Sequence, residues 1–129
     1  VEKCGLLVEK VCSSAFVTIN ERVVKETPDV SIILPVLNEE RMLKRVLPSL
    51  LCLSGNYEIL IVDGGSTDQS IAFIRRFPQV RLVPCPERGR AAQMNWGGRH
   101  ALAPVLFFLH ADTLPPPDAI DRVLDAFQE

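Results

Sequence analysis

The sequence predicts an α/β protein built on an open, mostly parallel sheet with flanking helices, and three observations carry that prediction. Apolar runs of strand length recur at Val30 to Pro35, Tyr57 to Val62 and Val105 to Leu109, and their near-continuous hydrophobicity fits strands covered on both faces. A polar loop follows each run, then a stretch with helical spacing, which is the rhythm of βαβ units. Two of the runs are closely followed by an aspartate, Asp63 and Asp112. Open α/β sheets bind ligands in the crevice beyond the carboxyl ends of their strands, so acids at those positions face a ligand rather than the core, and two of them suggest a nucleotide and metal site.

Residues 1–28 stand apart as a leader. Val-Glu-Lys occurs at 1–3 and again at 8–10, which places Val1, Cys4, Val8 and Val11 at heptad-like spacing. Two heptads are too few to argue a coiled coil, and coincidence accounts for them. Phe16 to Val24 fits a short strand or a helix end. Thr27-Pro28-Asp29 marks the boundary, because the residue before a proline is pushed out of helical geometry. The regular domain then spans 29–129.

The first strand, Val30 to Pro35, leads into a helix beginning near Glu39 whose Met42, Leu43, Val46, Leu47, Leu50 and Leu51 share helical spacing; Pro48 is expected to kink or shorten it. The second strand leads to a helix expected from Ser66, since Ser66-Thr67-Asp68 is good N-cap chemistry. A short strand at Arg81 to Val83 and a helix from Arg90 follow, then the strand Val105 to Leu109. Pro115-Pro116-Pro117 forces a rigid turn, and Asp118 to Phe127 forms a last helix on which Asp118, Asp121 and Asp125 make a solvated face.

Composition bounds the function. With 129 residues, 47% hydrophobic and 23% charged, the chain fits one soluble globular domain with a real core. A net charge of -2 and scattered arginines leave no basic footprint for nucleic acid. Cys4, Cys12, Cys52 and Cys85 form no C-x-x-C pair, and a chain of this size needs no disulfide staples, which favours a reduced, cytoplasmic setting. The apolar runs fall far short of the ~20 residues that span a bilayer, so no transmembrane segment is expected, while peripheral association with the cytoplasmic membrane face stays open. There is neither a basic leader before a long apolar core nor an initiating Met, so no secretion signal is expected and the chain reads as a fragment or a processed form.

Four segments carry chemistry, and each has a plainer reading. Pro35-Val36-Leu37-Asn38-Glu39-Glu40 puts backbone groups and the Glu39 carboxylate at a strand end; alternatively Asn38 caps the helix and the two glutamates complement its dipole. Asp63-Gly64-Gly65-Ser66-Thr67-Asp68 offers a carboxylate to a base N–H and lets backbone approach a ligand, or is a tight turn in which Asp63 bonds its own backbone. Arg88 and Arg90 flank a helix start, where guanidinium groups and free N–H groups favour phosphate; otherwise the arginines are solvated and Ala91, Ala92 and Asn95 form a small-residue face against the sheet. The segment is neither a Walker loop nor a G-x-G-x-x-G fingerprint. In extended chain His110 and Asp112 point to the same side and can converge on one ion or ligand; a capping Asp and a hydrogen-bonded His explain them as well. Zinc is disfavoured, because no further His or Cys has ligand spacing to them.

In order, these four segments resemble the nucleotide-binding half of family 2 glycosyltransferases of the GT-A fold (nucleotide-diphospho-sugar transferase-like). Ser31 to Glu40 is similar to that family's opening strand and loop, Glu58 to Asp68 to its strand ending in Asp before a Gly/Ser/Thr/Asp turn, Gly89 to Gly97 to its small-residue helix, and Phe107 to Asp112 to the segment holding its D-x-D motif. The resemblance implies transfer of a sugar from a nucleotide-diphosphate donor to an unknown acceptor, with inversion and with Mg²⁺ or Mn²⁺. It implies that Pro35, Leu37 and Glu39 line the nucleoside pocket, that Asp63 binds the base, that Arg90 lies near base or phosphate, and that Asp112 is the metal ligand.

His110 replaces the first acid of D-x-D; a neutral imidazole still hydrogen-bonds ribose but brings no negative charge to an ion. The Phe-Leu-His-Ala-Asp-Thr string is identified with a subgroup that carries this variant. The family's catalytic base comes from the later, acceptor-binding half, which is expected beyond Glu129, so the domain is expected to be truncated and inactive alone. A sugar nucleotidyltransferase is disfavoured, because Val36 to Glu40 is acidic where that chemistry needs a glycine-rich, basic loop. The remaining alternative is a non-catalytic or truncated nucleotide-binding or interaction module.

Overall fold

The computed structural model describes residues 27–128; the heptad-like spacing and the element expected within Phe16 to Val24 lie outside the described residues. Four strands alternate with four helices: β1 (Val30–Val36), α1 (Glu40–Leu50), β2 (Tyr57–Asp63), α2 (Ser70–Ile74), β3 (Val80–Pro84), α3 (Arg90–His100), β4 (Val105–Phe108) and α4 (Ala119–Ala126). The sheet has the order β3-β2-β1-β4 and every pairing is parallel. The chain winds outward from β1 to β3 and then returns to the other side of β1, so β1 is the point where the strand order reverses. All four carboxyl ends lie on one rim, which is where such sheets hold ligands.

The apolar runs become strands for the expected reason. Every residue of β1 is buried, and its even-numbered side chains Ile32 and Leu34 pack on one face with Leu43, Leu47 and Leu50 of α1, Ile74 of α2 and Ile120 of α4. Ile33 points the other way, into a smaller cluster with Leu60, Val62 and Trp96 of α3. Alternation on a pleated strand thus puts three helices on one face and α3 alone on the other. Full burial of each such side chain stabilises the fold by about 1.5–3 kcal/mol relative to leaving it exposed.

β4 departs from the expectation of cover on both faces. It is an edge strand, α3 lies over β1 and β2, and Leu106 and Phe108 on the α3 side remain 38% and 44% exposed. A polar network sets where β4 enters the sheet. Ser31 Oγ donates to Glu58 Oε2 (2.5 Å) and itself accepts from Ala103 N (3.0 Å), while Glu58 also accepts from Leu102 N (2.8 Å) and Arg81 Nη1 (2.8 Å). Burial works to raise the Glu58 carboxyl, but those bonds and the Arg81 charge outweigh it and hold the group below the ordinary glutamate range.

Two helices differ from expectation in physical detail. α2 starts at Ser70 rather than Ser66, because the N–H groups of Ser66, Thr67 and Asp68 are spent on Asp63 and Asn38 instead of a helix turn. α1 does contain Pro48 and stops at Leu50, the shortening expected of a proline that removes a backbone donor. Asp118, Asp121 and Asp125 are exposed, the solvated face expected of the last helix. Of the cysteines among the described residues, Cys85 is a free thiol.

Gly97 is where α3 touches the sheet. A Cβ at this position would lie 2.5 Å from Ile33 Cγ2 and 2.9 Å from Val62 Cγ2, both fully buried side chains. Gly97→Ala therefore has to lift α3 or displace β1 and β2, and overpacking of this kind costs about 1–3 kcal/mol. The expected outcome is a lower melting temperature in a circular-dichroism scan; an unchanged one would mean that the helix does not sit this close.

Candidate functional site

The loops after β1 and β2 are laced together by side chains from each. Asn38 adopts φ 51°, a left-handed conformation that asparagine tolerates better than most residues. From there its Oδ1 accepts Thr67 N (2.7 Å) and Asp68 N (3.2 Å), and its own N–H donates to Ser66 Oγ (2.9 Å). In return Ser70 Oγ accepts Glu39 N (3.1 Å), and Asp68 Oδ2 accepts Glu40 N (3.4 Å). Asn38 thus caps the opposite loop and not α1, whose first N–H groups are served from across the sheet.

Asp63 ends β2 and is 4% exposed. Its Oδ2 accepts Gly65 N (2.9 Å) and Ser66 N (3.1 Å), so the carboxylate shapes its own turn, the plainer of the two sequence readings. Gly65, at φ 105°, supplies the conformation this turn requires. Val36 pairs with Asp63, and the β1–β4 register, continued past Ile33 opposite Phe108, brings the chain to Asp112 at the same rim. Asp63 and Asp112 hence follow the strands on either side of β1 at the same rim, with Asp112 near enough to act on the Glu39 charge.

Between the loops lies a cleft of about 630 Å³ lined by Pro35, Leu37, Asn38 and Glu39 on one wall, Gly64, Gly65 and Thr67 on another, and Cys85 to Arg90 with Gln93 on the third. Of the expected site residues, Pro35, Leu37, Glu39 and Arg90 line this cleft, whereas Asp63, His110 and Asp112 do not. His110 borders a separate, apolar groove of about 440 Å³ with Phe107, Leu109 and Leu114.

Glu39, Arg90, His110 and Asp112 form one electrostatic group at the mouth of the cleft. Burial pushes the Glu39 carboxyl up, and nearby Asp112 adds to this; the Arg90 charge and a Leu37 backbone hydrogen bond pull against it without overcoming it. Glu39 Oε1 is buried with no hydrogen-bond partner among the described residues. Arg90 Nη1 meets His110 Nδ1. Arginine only donates, so Nδ1 is the acceptor and the imidazole proton sits on Nε2. Asp112 is exposed and, among the described residues, accepts only a long contact from Thr113 Oγ1 (3.4 Å).

Among the described residues no group of three or more His, Cys, Asp or Glu side chains is placed to hold a metal ion. One exposed carboxylate does fit Mg²⁺ or Mn²⁺ bound jointly with a diphosphate, since such ions commonly take one or two protein carboxylates and complete their shell with phosphate and water.

Sequence reasoning missed Gln93. The expected small-residue face of α3 is largely exposed at Ala91 and Asn95; the side turned to the sheet is Gln93 and Gly97, both buried. A polar residue four positions before a glycine, on the face that must pack against a sheet, was the available signal.

A family model described as glycosyl transferase family 2 matches residues 31–129, and the chain belongs to that family. An undecaprenyl-phosphate 4-deoxy-4-formamido-L-arabinose transferase of Edwardsiella ictaluri is 30% identical over 107 residues, covering 75% of this chain and 33% of the relative, so the chain spans about a third of that protein's length. Among solved structures, S. aureus TarS 1-349 in complex with UDP superposes with a TM-score of 0.71 at 18% identity over 78% of this chain and 32% of that one. The mannosyltransferase PcManGT of Pyrobaculum calidifontis, in complex with GDP-Man and Mn²⁺, gives a TM-score of 0.63 at 26% identity over 74% of this chain and 30% of its own. The parallel sheet with flanking helices is the GT-A fold of these enzymes, over part of their domain.

The buried Glu39 carboxyl predicts a pH effect. Because its folded pKa is raised, the folded state holds this proton to higher pH than the unfolded chain, and stability is lost as pH rises from the ordinary glutamate value through the raised one. Glu39→Gln removes that loss. The variant is expected to melt above the parent at neutral pH, with the gap closing below the ordinary glutamate value; a variant that melts lower at neutral pH would show the charged form to be well accommodated.

Proposed function

We propose that residues 29–129 are the donor-binding half of a glycosyltransferase that moves a sugar from a nucleotide diphosphate to an acceptor, with inversion and with help from a divalent ion. The observation that carries this is the cleft at the carboxyl rim, walled by the loops after β1, β2 and β3, with Arg90 in its wall and Asp112 near enough to act on the Glu39 charge. Family membership and likeness to proteins solved with UDP or with GDP-Man and Mn²⁺ support the same reading.

In this reading Pro35 and Leu37 give the nucleoside an apolar wall, and the Asn38 lacing keeps that wall at a set distance from the Asp63 turn. Asp63 acts mainly by holding Gly65 and Ser66 in place, with its remaining lone pairs available to a base N–H. Arg90 faces the diphosphate, and His110, by accepting from Arg90, keeps the guanidinium aimed across the mouth of the cleft. The partner supplied by Arg90 also supports His110-Ala111-Asp112 as a working variant of D-x-D. An ion shared by Asp112 and the diphosphate would neutralise the charge that develops on the leaving group. No residue at this rim is assigned as the base that deprotonates the acceptor.

Calorimetric titration with UDP and with GDP, each with and without Mn²⁺, tests this reading. The parent protein is expected to bind at least one nucleotide, more tightly with Mn²⁺, and Asp112→Ala is expected to keep the metal-independent affinity while losing the metal increment. Absence of binding by the parent, or a full increment in the variant, would overturn it.

A further inference from the structure

We propose that Gln93 is a positioning residue for nucleotide recognition: its side-chain amide ties the ends of β1 and β2 to each other and to the helix turn that carries Arg90. This rests on the donor-binding reading above and adds a residue to it.

The tie is added to the ladder. Val36 O already accepts Gly64 N (2.9 Å) at the end of the β1–β2 pairing, and a carbonyl has a second lone pair free for a side-chain donor. Gln93 Nε2 donates to Val36 O (3.0 Å) and to Val62 O (2.9 Å), so each of its two hydrogens holds one strand. The residues that follow those carbonyls, Leu37 on one strand and Asp63 and Gly64 on the other, begin the two loops that wall the cleft. Gly64 lies directly on the amide: a Cβ there would come within 2.9 Å of Gln93 Cδ, so the turn closes over the side chain only because residue 64 is glycine. Gln93 N donates to Gly89 O (3.0 Å), which puts the amide in the first turn of α3, three positions after Arg90. Three walls of one cleft therefore meet at a single side chain that is 5% exposed.

The strength of this arrangement is geometric. Sites work when their groups are held to about 0.5 Å, and a misplacement of about 1 Å from a change outside the chemistry can cost 100-fold. An amide bridging two strand ends and one helix turn fixes the base-facing loops relative to the phosphate-facing arginine. A glutamine serving packing alone would alter stability and leave affinity untouched.

The test uses the full chain with UDP and GDP in the presence of Mn²⁺, by calorimetry, at a temperature where circular dichroism shows every variant folded. Gln93→Met keeps the length and removes both donors, and is expected to weaken nucleotide binding at least about 10-fold. Gln93→Glu faces two carbonyl oxygens with a carboxylate at about pH 8 and is expected to lose as much, then to regain affinity relative to the parent at about pH 5, where a protonated acid donates one hydrogen. In the parent, the Gln93 side-chain amide protons are expected to exchange slowly with solvent and to shift on nucleotide addition, a readout that needs no variant. Folded variants that bind as the parent does, or parent amide protons that exchange at the solvent rate, would overturn the inference while leaving the donor site standing. A parent that binds neither nucleotide would overturn both.

Discussion

The register of β1 on β2 is the constraint from which the site follows. Val30 pairs with Tyr57 and Val36 with Asp63, so two buried seven-residue strands end level with each other. A slip of one residue would turn Ile32 and Leu34 away from α1 and place Asp63 beyond the turn it shapes, because side chains alternate faces at every step. Ending level, the strands present Val36 O and Val62 O side by side, close enough for one amide to bind both, and send their loops out in parallel so that Asn38 reaches Thr67 and Ser70 reaches Glu39. The reversal of strand order at β1 then brings the segment after β4 to the same edge, and with it His110 and Asp112.

The rim concentrates what the rest of the fold avoids. Away from the cleft, Ser31 and Glu58 are satisfied by bonds that join three strands and the entry to β4. At the cleft, a carboxyl with one unpartnered buried oxygen, an exposed Asp112 and a guanidinium held by an imidazole lie together. Such groups cost folding free energy and fit a site that awaits charge from a ligand. The exposed Leu106 and Phe108 of β4 are a separate cost, arising because α3 covers only the inner strands of its face.

Much of the architecture was legible in the sequence. Continuous apolar runs identify β1 and β2 because a strand buried on both faces cannot alternate, and Pro48 announces where α1 ends. The rim position of Asp63 and Asp112 follows from strand direction alone. Partners across the sheet were less legible. Asn38 is a natural cap for the helix it precedes, and only the parallel register brings it to Thr67, 29 positions away, where a loop offers better donors. Ser66 to Asp68 carry good capping chemistry but serve Asp63 and Asn38, so α2 starts late. Gln93 stayed hidden because a glutamine in a helix is ordinarily solvated; its burial depends on Gly97 bringing α3 down onto Ile33 and Val62.

Amide NMR titration with a nucleoside diphosphate and Mg²⁺ reads out whether loops from separate strands form one ligand site on the carboxyl rim. Shifts confined to residues 35–40, 63–68, 85–93 and 110–113, moving together with a single saturation curve, are expected. Shifts centred on the apolar groove beside Leu114, or rim loops that respond independently at different ligand concentrations, would contradict it.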